Sequence, residues 1–176
     1  MAEGFEEVEC LAVVDVLRRA GVDVTTVSIT DNIAVTGSHN ITVIADEPFD
    51  EKVCNNADLL FLPGGMPGTA NLAAHEGVKK AISSFLAEGK RVAAICAAPS
   101  VFGEMGILKG KKATCYPGFE GKLLGACHCT DGVVTDGNIT TARGLGYALD
   151  LGIELASLLV NPEKAAEVKS SIQYDK

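Results

Sequence analysis

Hydrophobic positions recur along this chain with two periods, and the helical period is clearest near the start. An apolar stripe running from Val8 to Leu17 predicts a helix over residues 6–20, with Gly21 as its stop. The same criteria predict further helices over residues 77–88, from about Pro99, over 146–159 and over 162–171. Helical segments are therefore expected along most of the chain.

Short apolar runs between these helices predict strands. The run at 59–62 is continuous and ends in Pro63-Gly64-Gly65, which is typical of a buried parallel strand that leads into a backbone turn. Other strands are predicted over residues 22–29, 91–95, 112–114, 133–136 and 139–141, with an edge hairpin over 33–36 and 41–45. The alternation predicts one α/β domain over residues 1–176 with a mainly parallel sheet.

The charge balance narrows the range of partners. With 15 Lys and Arg against 23 Asp and Glu, the net charge is −8, which disfavours nucleic acid and anionic membrane surfaces. No apolar run approaches the roughly 18 residues that span a bilayer, and the first residues lack the basic and apolar parts of a signal peptide. We therefore predict a cytoplasmic protein with neither nucleic-acid nor membrane partners.

Six cysteines raise the question of which thiol is reactive. An ample core and no recognisable export signal favour reduced thiols over disulfides. The Cys127-His128-Cys129 segment and Cys115 look like a soft-metal cluster, but their spacing is too tight for the usual structural zinc pattern, so no metal site is expected. The six residues are Cys10, Cys54, Cys96, Cys115, Cys127 and Cys129.

Cys96 stands out because a predicted strand turns through it into a predicted helix. The residues two before and two after it, Ala94 and Ala98, are small enough for the tight turn of a nucleophile elbow. A helix N-terminus stabilises thiolate, so the pKa of Cys96 is expected below the reference value of about 8.5. The alternative is a buried structural cysteine that packs as a small hydrophobe.

Two other segments could complete a site around this thiol. The glycines after the strand at 59–62 allow backbone N–H groups to approach an oxyanion near Cys96. Glu9 lies at the border of the apolar helix face, where partial burial would raise its pKa towards a value useful for proton transfer; helix capping is the alternative. None of His39, His75 and His128 has a catalytic spacing to Cys96, so each is expected on the surface or in a turn.

Four motifs in order along the chain resemble the ThiJ/PfpI superfamily, and within it the protein deglycase branch. They are Ala2-Glu3-Gly4-Phe5-Glu6-Glu7-Val8-Glu9, Leu62-Pro63-Gly64-Gly65, Ala94-Ile95-Cys96-Ala97-Ala98-Pro99 and Arg143-Gly144-Leu145-Gly146. The resemblance implies a flavodoxin-like three-layer α/β sandwich and a homodimer. It further implies Cys96 as nucleophile, Glu9 as its carboxyl partner, and an oxyanion site formed by the N–H groups of Gly65 and Ala97.

The chain departs from the family pattern in two places. Many members carry a histidine near the cysteine where this sequence has Tyr116, so acid–base work would fall more heavily on Glu9. Tyr116, Gly64 and Arg143 are the accessory candidates. Members also open with an apolar strand before the first motif, and here only Met1 precedes it. We therefore expect the central first strand to be missing, with the native chain beginning upstream or another segment completing the sheet.

Three functions remain open from the sequence. The resemblance implies a cofactor-independent enzyme of the glyoxalase III or deglycase type, acting on small 2-oxoaldehydes or on glycated protein. A cysteine peptidase of the PfpI type is an alternative, although such members carry a histidine directly after the nucleophile and here that residue is Ala97. The third is a redox sensor or chaperone in which Cys96 is oxidised and Glu9 stabilises its sulfinate.

Overall fold

The computed structural model describes residues 1–50 and 56–175, so Cys54 lies outside the described part. The helices are α1 (Glu7–Arg19), α2 (Gly68–Ala74), α3 (Glu76–Ala87), α4 (Pro99–Glu104), α5 (Ala148–Leu159) and α6 (Pro162–Ser171). The strands are β1 (Val27–Ser28), β2 (Ala34–Thr36), β3 (Thr42–Ile44), β4 (Glu47–Pro48), β5 (Leu59–Leu62), β6 (Arg91–Ile95), β7 (Lys112–Ala113), β8 (Cys127–His128), β9 (Val133–Asp136) and β10 (Ile139–Ala142).

The main sheet has four strands in the order β5-β6-β10-β9. The first three are parallel, and β9 joins as an antiparallel edge strand through the tight turn that precedes β10. This agrees with the predicted mainly parallel sheet. Because β5 and β6 are parallel neighbours, the chain segments that follow Leu62 and Ile95 leave the sheet at the same edge.

The two faces of the sheet carry separate cores, as the alternation along β6 shows. Val92 and Ala94 pack into one core with helices α3 and α4, whereas Ala93 and Ile95 pack into the other with α1, α5 and α6. Side chains on a strand alternate between faces, so a strand buried on both sides is apolar throughout. The result is the expected sandwich of helices, sheet and helices.

The predicted strand at 22–29 is shorter than expected. Only Val27–Ser28 forms a strand, and it pairs with β4 in a separate two-stranded sheet. Met1 lies beside it, because its amine donates to the Val27 carbonyl and its carbonyl accepts from the Ile29 N–H at 2.9 Å. No strand in the described part pairs with β5 on the side away from β6, in line with the expected gap in the sheet.

Helix α2 and the first residue of α3 differ from the prediction. Helix α2 was missed because its sequence, Gly-Thr-Ala-Asn-Leu-Ala-Ala, follows a glycine-rich turn and is too short to show a helical period. The next helix begins at Glu76, one residue earlier than predicted, because the His75 side chain caps it by accepting from the Val78 N–H. No helix among the described residues is long and apolar enough to cross a bilayer.

Candidate active site

Cys96 lies between β6 and α4 in the sharp turn that the sequence predicts. Its φ of 65° is in the left-handed region, which costs a non-glycine residue about 1 to 3 kcal/mol. Two backbone hydrogen bonds hold the turn. The Cys96 N–H donates to the Ala142 carbonyl at 2.9 Å, and the Cys96 carbonyl accepts from the Tyr116 N–H at 2.8 Å. Neighbouring segments thus hold this partly exposed residue at the carboxyl edge of the sheet.

The first turn of α1 brings Glu9 to the same place. Glu9 is only 1% exposed, and its Oε2 accepts a hydrogen bond from the Gly64 N–H at 3.1 Å. A Cβ on Gly64 would lie 2.5 Å from that oxygen and 2.6 Å from the Cβ of Cys96, so only glycine lets the two side chains approach. Helix capping, the alternative role for Glu9, belongs to Glu6, whose carboxylate accepts from the Glu9 N–H at 2.6 Å.

Burial changes the acidity of the Glu9 carboxyl. Desolvation raises its pKa from 4.5 to about 7, and the nearby Glu6 carboxylate acts in the same direction. The Cys96 thiol and the N–H groups of Gly64 and Leu145 oppose this rise in pKa. Oε1 of Glu9 is buried and has no hydrogen-bond partner among the described residues. The Glu9 carboxyl can therefore hold a proton up to about pH 7 while it lies against the Cys96 thiol.

The Cys96 thiol is less acidic than the sequence indicates. Burial, and to a smaller extent the charge of Glu9 and its hydrogen bond with the thiol, raise its pKa from 9.0 to about 12. The N–H groups of Ala97 and Gly65 lower the pKa by a smaller amount. The expected low pKa was wrong because burial of the sulfur, together with the adjacent Glu9 carboxylate, outweighs the helix N-terminus.

Cys96, Gly65 and Ala97 line a small pocket of about 250 Å³, whereas the buried Glu9 is not among its lining residues. Its lining includes Glu6, His39, Met66, Cys96, Tyr116 and Phe119. The N–H groups of Gly65 and Ala97 donate towards the Cys96 sulfur, so both lie next to the thiol. A water molecule occupies about 30 Å³ in the liquid, so the pocket has room for a molecule of only a few heavy atoms.

The accessory candidates lie in different places. Tyr116 lines the pocket, and Gly64 separates Glu9 from Cys96. Tyr116 is 50% exposed. Arg143 is not among the lining residues in the described structure; its N–H donates to the Gly132 carbonyl at 2.9 Å, and its charge lies near Glu120. The structure therefore places Tyr116 at the pocket and Gly64 against Glu9 and Cys96, whereas Arg143 does not line the pocket.

His39 is at the pocket although its sequence position gave no sign of this. It lies in the turn between β2 and β3, and its Nδ1 is 3.0 Å from Oε2 of Glu7 and 3.7 Å from Oε1 of Glu6. The expectation of a turn histidine on the surface is correct, because its side chain is 68% exposed, but the same ring also lines the pocket. No local signal could reveal this, because the contact joins residues 32 positions apart.

One group of side chains in the described part of the chain has the geometry of a metal site. Glu6, Glu7 and His39 place one potential ligand atom each within 4.8 Å of one another, whereas Cys115, Cys127 and Cys129 belong to no such group. The Glu7 oxygens already accept hydrogen bonds from the N–H groups of His39 and Ile41. We assign no metal to this cluster, because its most buried carboxylate already has protein donors.

Comparison with known proteins shows what this chain is similar to. The DJ-1/PfpI family profile matches residues 1–158. The chain is 38% identical over 174 residues to protein DJ-1 homolog B of Arabidopsis thaliana, covering 98% of this chain but only 40% of that protein. It is 33% identical to a deglycase of Pyrococcus abyssi, covering 81% and 86% of the two chains.

The structural likeness is equally extensive. The structure of oxidized Toxoplasma gondii DJ-1 aligns with a TM-score of 0.94 at 32% identity, covering 99% of this chain and 96% of that one. A family profile that spans most of the chain and a structural match over nearly all of it lead to one conclusion. The chain belongs to the DJ-1/PfpI family.

Proposed function

We propose that the protein is a cofactor-independent enzyme of the glyoxalase III or deglycase type, which converts small 2-oxoaldehydes, or their adducts on proteins, to 2-hydroxy acids. The observation that carries this proposal is the pair formed by Glu9 and Cys96. A buried carboxyl whose pKa is raised to about 7 lies against a thiol beneath two backbone N–H groups. Such a pair supplies a nucleophile that lines a small pocket and a buried proton carrier that is hydrogen-bonded to it.

The reaction begins with transfer of the Cys96 proton to Glu9. The thiolate adds to the aldehyde carbon of a substrate such as methylglyoxal, and the N–H groups of Gly65 and Ala97 hold the resulting oxyanion. Glu9 then protonates that oxygen to give a hemithioacetal and becomes a carboxylate again. Throughout these steps Glu9, Cys96 and the bound substrate together carry one negative charge.

Glu9 next moves a proton between the two adjacent carbons of the substrate. Its carboxylate removes the proton from the former aldehyde carbon and returns it to the neighbouring carbon, which converts the hemithioacetal to a thioester. Water hydrolyses the thioester and restores the thiol, so methylglyoxal and water give lactate. The atoms balance without an external oxidant or reductant.

The pocket and the relatives support a small aldehyde as substrate. A volume of about 250 Å³ accommodates a three-carbon compound, and one relative at 33% identity is named a deglycase. A glycated protein could present the same group on an exposed side chain at the mouth of the pocket. As part of this proposal, the enzyme acts as a homodimer in the cytoplasm.

Lactate production provides the test. Purified protein incubated with methylglyoxal, without glutathione, is expected to form lactate, and Cys96→Ser is expected to abolish its formation because a serine hydroxyl is far less nucleophilic near neutral pH. Cys127→Ser is the matched control, because Cys127 is exposed in β8 and does not line the pocket. Lactate production by Cys96→Ser at the rate of the unaltered protein would refute the proposal.

A redox sensor is the second candidate function. Glu9 bears its proton at mildly acidic pH, so it can donate a hydrogen bond to a sulfinate on Cys96 while the N–H groups of Gly65 and Ala97 hold the negative charge. Selective oxidation of Cys96 without lactate formation would favour this function. The peptidase alternative has less support, because Ala97 follows the nucleophile and the pocket is small for a peptide.

A further inference from the structure

The turn between β2 and β3 is built around the carboxylate of Glu7, which the mechanism above does not use. Glu7 is 2% exposed, and its Oε1 accepts hydrogen bonds from the N–H groups of His39 at 2.8 Å and Ile41 at 3.4 Å. A Cβ on Gly37 would lie 2.2 Å from the carboxyl carbon of Glu7, so the turn closes tightly over this side chain. The carboxylate thus fixes the backbone position of His39.

Glu7 also fixes the orientation of the His39 ring. Burial opposes its ionisation, but hydrogen bonds from its own backbone, from the His39 ring and from the N–H groups of His39 and Ile41 lower its pKa to about 2. An ionised carboxylate 3.0 Å from Nδ1 accepts the proton that this nitrogen carries. Both side-chain hydrogen bonds of the ring in the described structure, with Glu7 and with Ser38, involve Nδ1, and the ring lines the pocket that contains Cys96. A buried carboxylate that holds one imidazole nitrogen leaves the other available for proton transfer.

We propose that His39 moves a proton between the two substrate oxygens while Glu9 moves a proton between the two carbons. This inference rests on the proposed 2-oxoaldehyde activity and assigns a second catalytic residue to the same conversion. Converting the hemithioacetal to a thioester moves one proton between the two carbons and one between the two oxygens. While Glu9 holds the proton taken from the first carbon, a second acid at the pocket can protonate the second oxygen directly.

The carbon-to-carbon and oxygen-to-oxygen proton transfers can be written so that all protons and electrons balance. As Glu9 removes the proton from the first carbon, a carbon–carbon double bond forms, the carbonyl electron pair moves to the second oxygen, and protonated His39 donates to that oxygen. Glu9 then returns its proton to the second carbon. The first oxygen forms a carbonyl and gives its proton back to His39. His39 ends protonated, Glu9 ends as a carboxylate, and the product is the Cys96 thioester.

The test compares two substitutions of His39. His39→Asn retains a donor to Glu7 near the position of Nδ1 but removes Nε2, and we expect its kcat for lactate formation to fall roughly 10²-fold or more. Alkylation of Cys96 by iodoacetamide should keep its normal rate, because the thiol and Glu9 are unchanged. In His39→Ala, added imidazole should restore part of the lost rate, because the site of this exposed ring is open to solvent.

His75→Asn is the matched control, because His75 caps α3 away from the pocket and asparagine preserves a cap. Lactate formation in both His39 variants within twofold of the unaltered protein would overturn the inference while leaving the proposed function intact. A slow variant in which imidazole has no effect and Cys96 alkylation slows equally would assign His39 a purely structural role, which also overturns it. If the unaltered protein forms no lactate, the proposed function fails and this inference fails with it.

Discussion

The raised pKa of Glu9 predicts that the site lowers the stability of the protein above neutral pH. In the unfolded chain the carboxyl ionises near pH 4.5, whereas in the folded protein it ionises near pH 7. Between these values the folded protein holds a proton that the unfolded chain has lost. The Glu9 contribution is therefore fully present below about pH 4.5 and is lost as the pH rises through about 7.

The size of this effect follows from the two pKa values. A displacement from 4.5 to about 7 corresponds to roughly 3 kcal/mol in the free energy of unfolding. Glu9→Gln replaces the ionisable carboxyl with a neutral group of the same shape, so the variant avoids the cost of a buried charge. Relative to the unaltered protein it should gain up to about 3 kcal/mol at pH 8 and little or nothing at pH 4.5.

Urea denaturation of both proteins at pH 4.5, 6 and 8 measures this difference directly. Comparing the two proteins at each pH cancels the titration of groups that they share. In thermal scans at pH 8, the melting temperature of Glu9→Gln should be higher by roughly 6 to 12 °C. A stability difference that is the same at all three pH values would show that Glu9 ionises normally in the folded protein and would refute the pKa argument.

Three further predictions concern the same site. For lactate formation, kcat/KM should rise with pH through about 7 as the Glu9 and Cys96 pair loses the first of its two protons, and a flat pH profile would contradict this. Gly64→Ala should lower the free energy of unfolding by about 1 to 3 kcal/mol through overpacking, whereas Gly146→Ala, whose added Cβ meets no atom within 4 Å, serves as the control. Limited peroxide treatment should add two oxygens mainly to Cys96 despite its raised pKa, because Glu9 can take the thiol proton and the N–H groups of Gly65 and Ala97 stabilise the sulfinate; peptide mapping that shows equal oxidation of Cys127 would contradict this.

Much of the candidate site could be predicted because its residues lie in strong local patterns. The apolar strand before Cys96, the small residues around it and the helix after it specify a sharp turn from local spacing alone. Glu9 was selected because it lies at the border of an apolar helix face, and the structure buries it there. Both patterns involve neighbours within a few residues, whose geometry depends on backbone sterics and helical period.

The strand boundaries were less predictable because a strand needs a partner. Residues 22–29 have the composition of one strand, but only Val27–Ser28 pairs with a neighbouring strand. Hydrogen bonding between strands is a property of the assembled sheet. Helix α2 was missed for a different reason, since its seven residues span only about two turns and show no clear period.

The sequence by itself determined the layered α/β architecture, the position of the cysteine turn and the carboxylate on the first helix, because each depends on local hydrophobic period and turn chemistry. Only the tertiary structure sets the pKa values of Glu9 and Cys96 and brings His39 to the pocket. The pKa of Cys96 depends on burial of the sulfur and on the Glu9 carboxylate from a distant element, which together outweigh the local helix N-terminus. His39 reaches the pocket because a turn far from it in sequence folds around the buried Glu7 carboxylate. Charges act through space, so the environment of an ionisable group is complete only when the chain is folded.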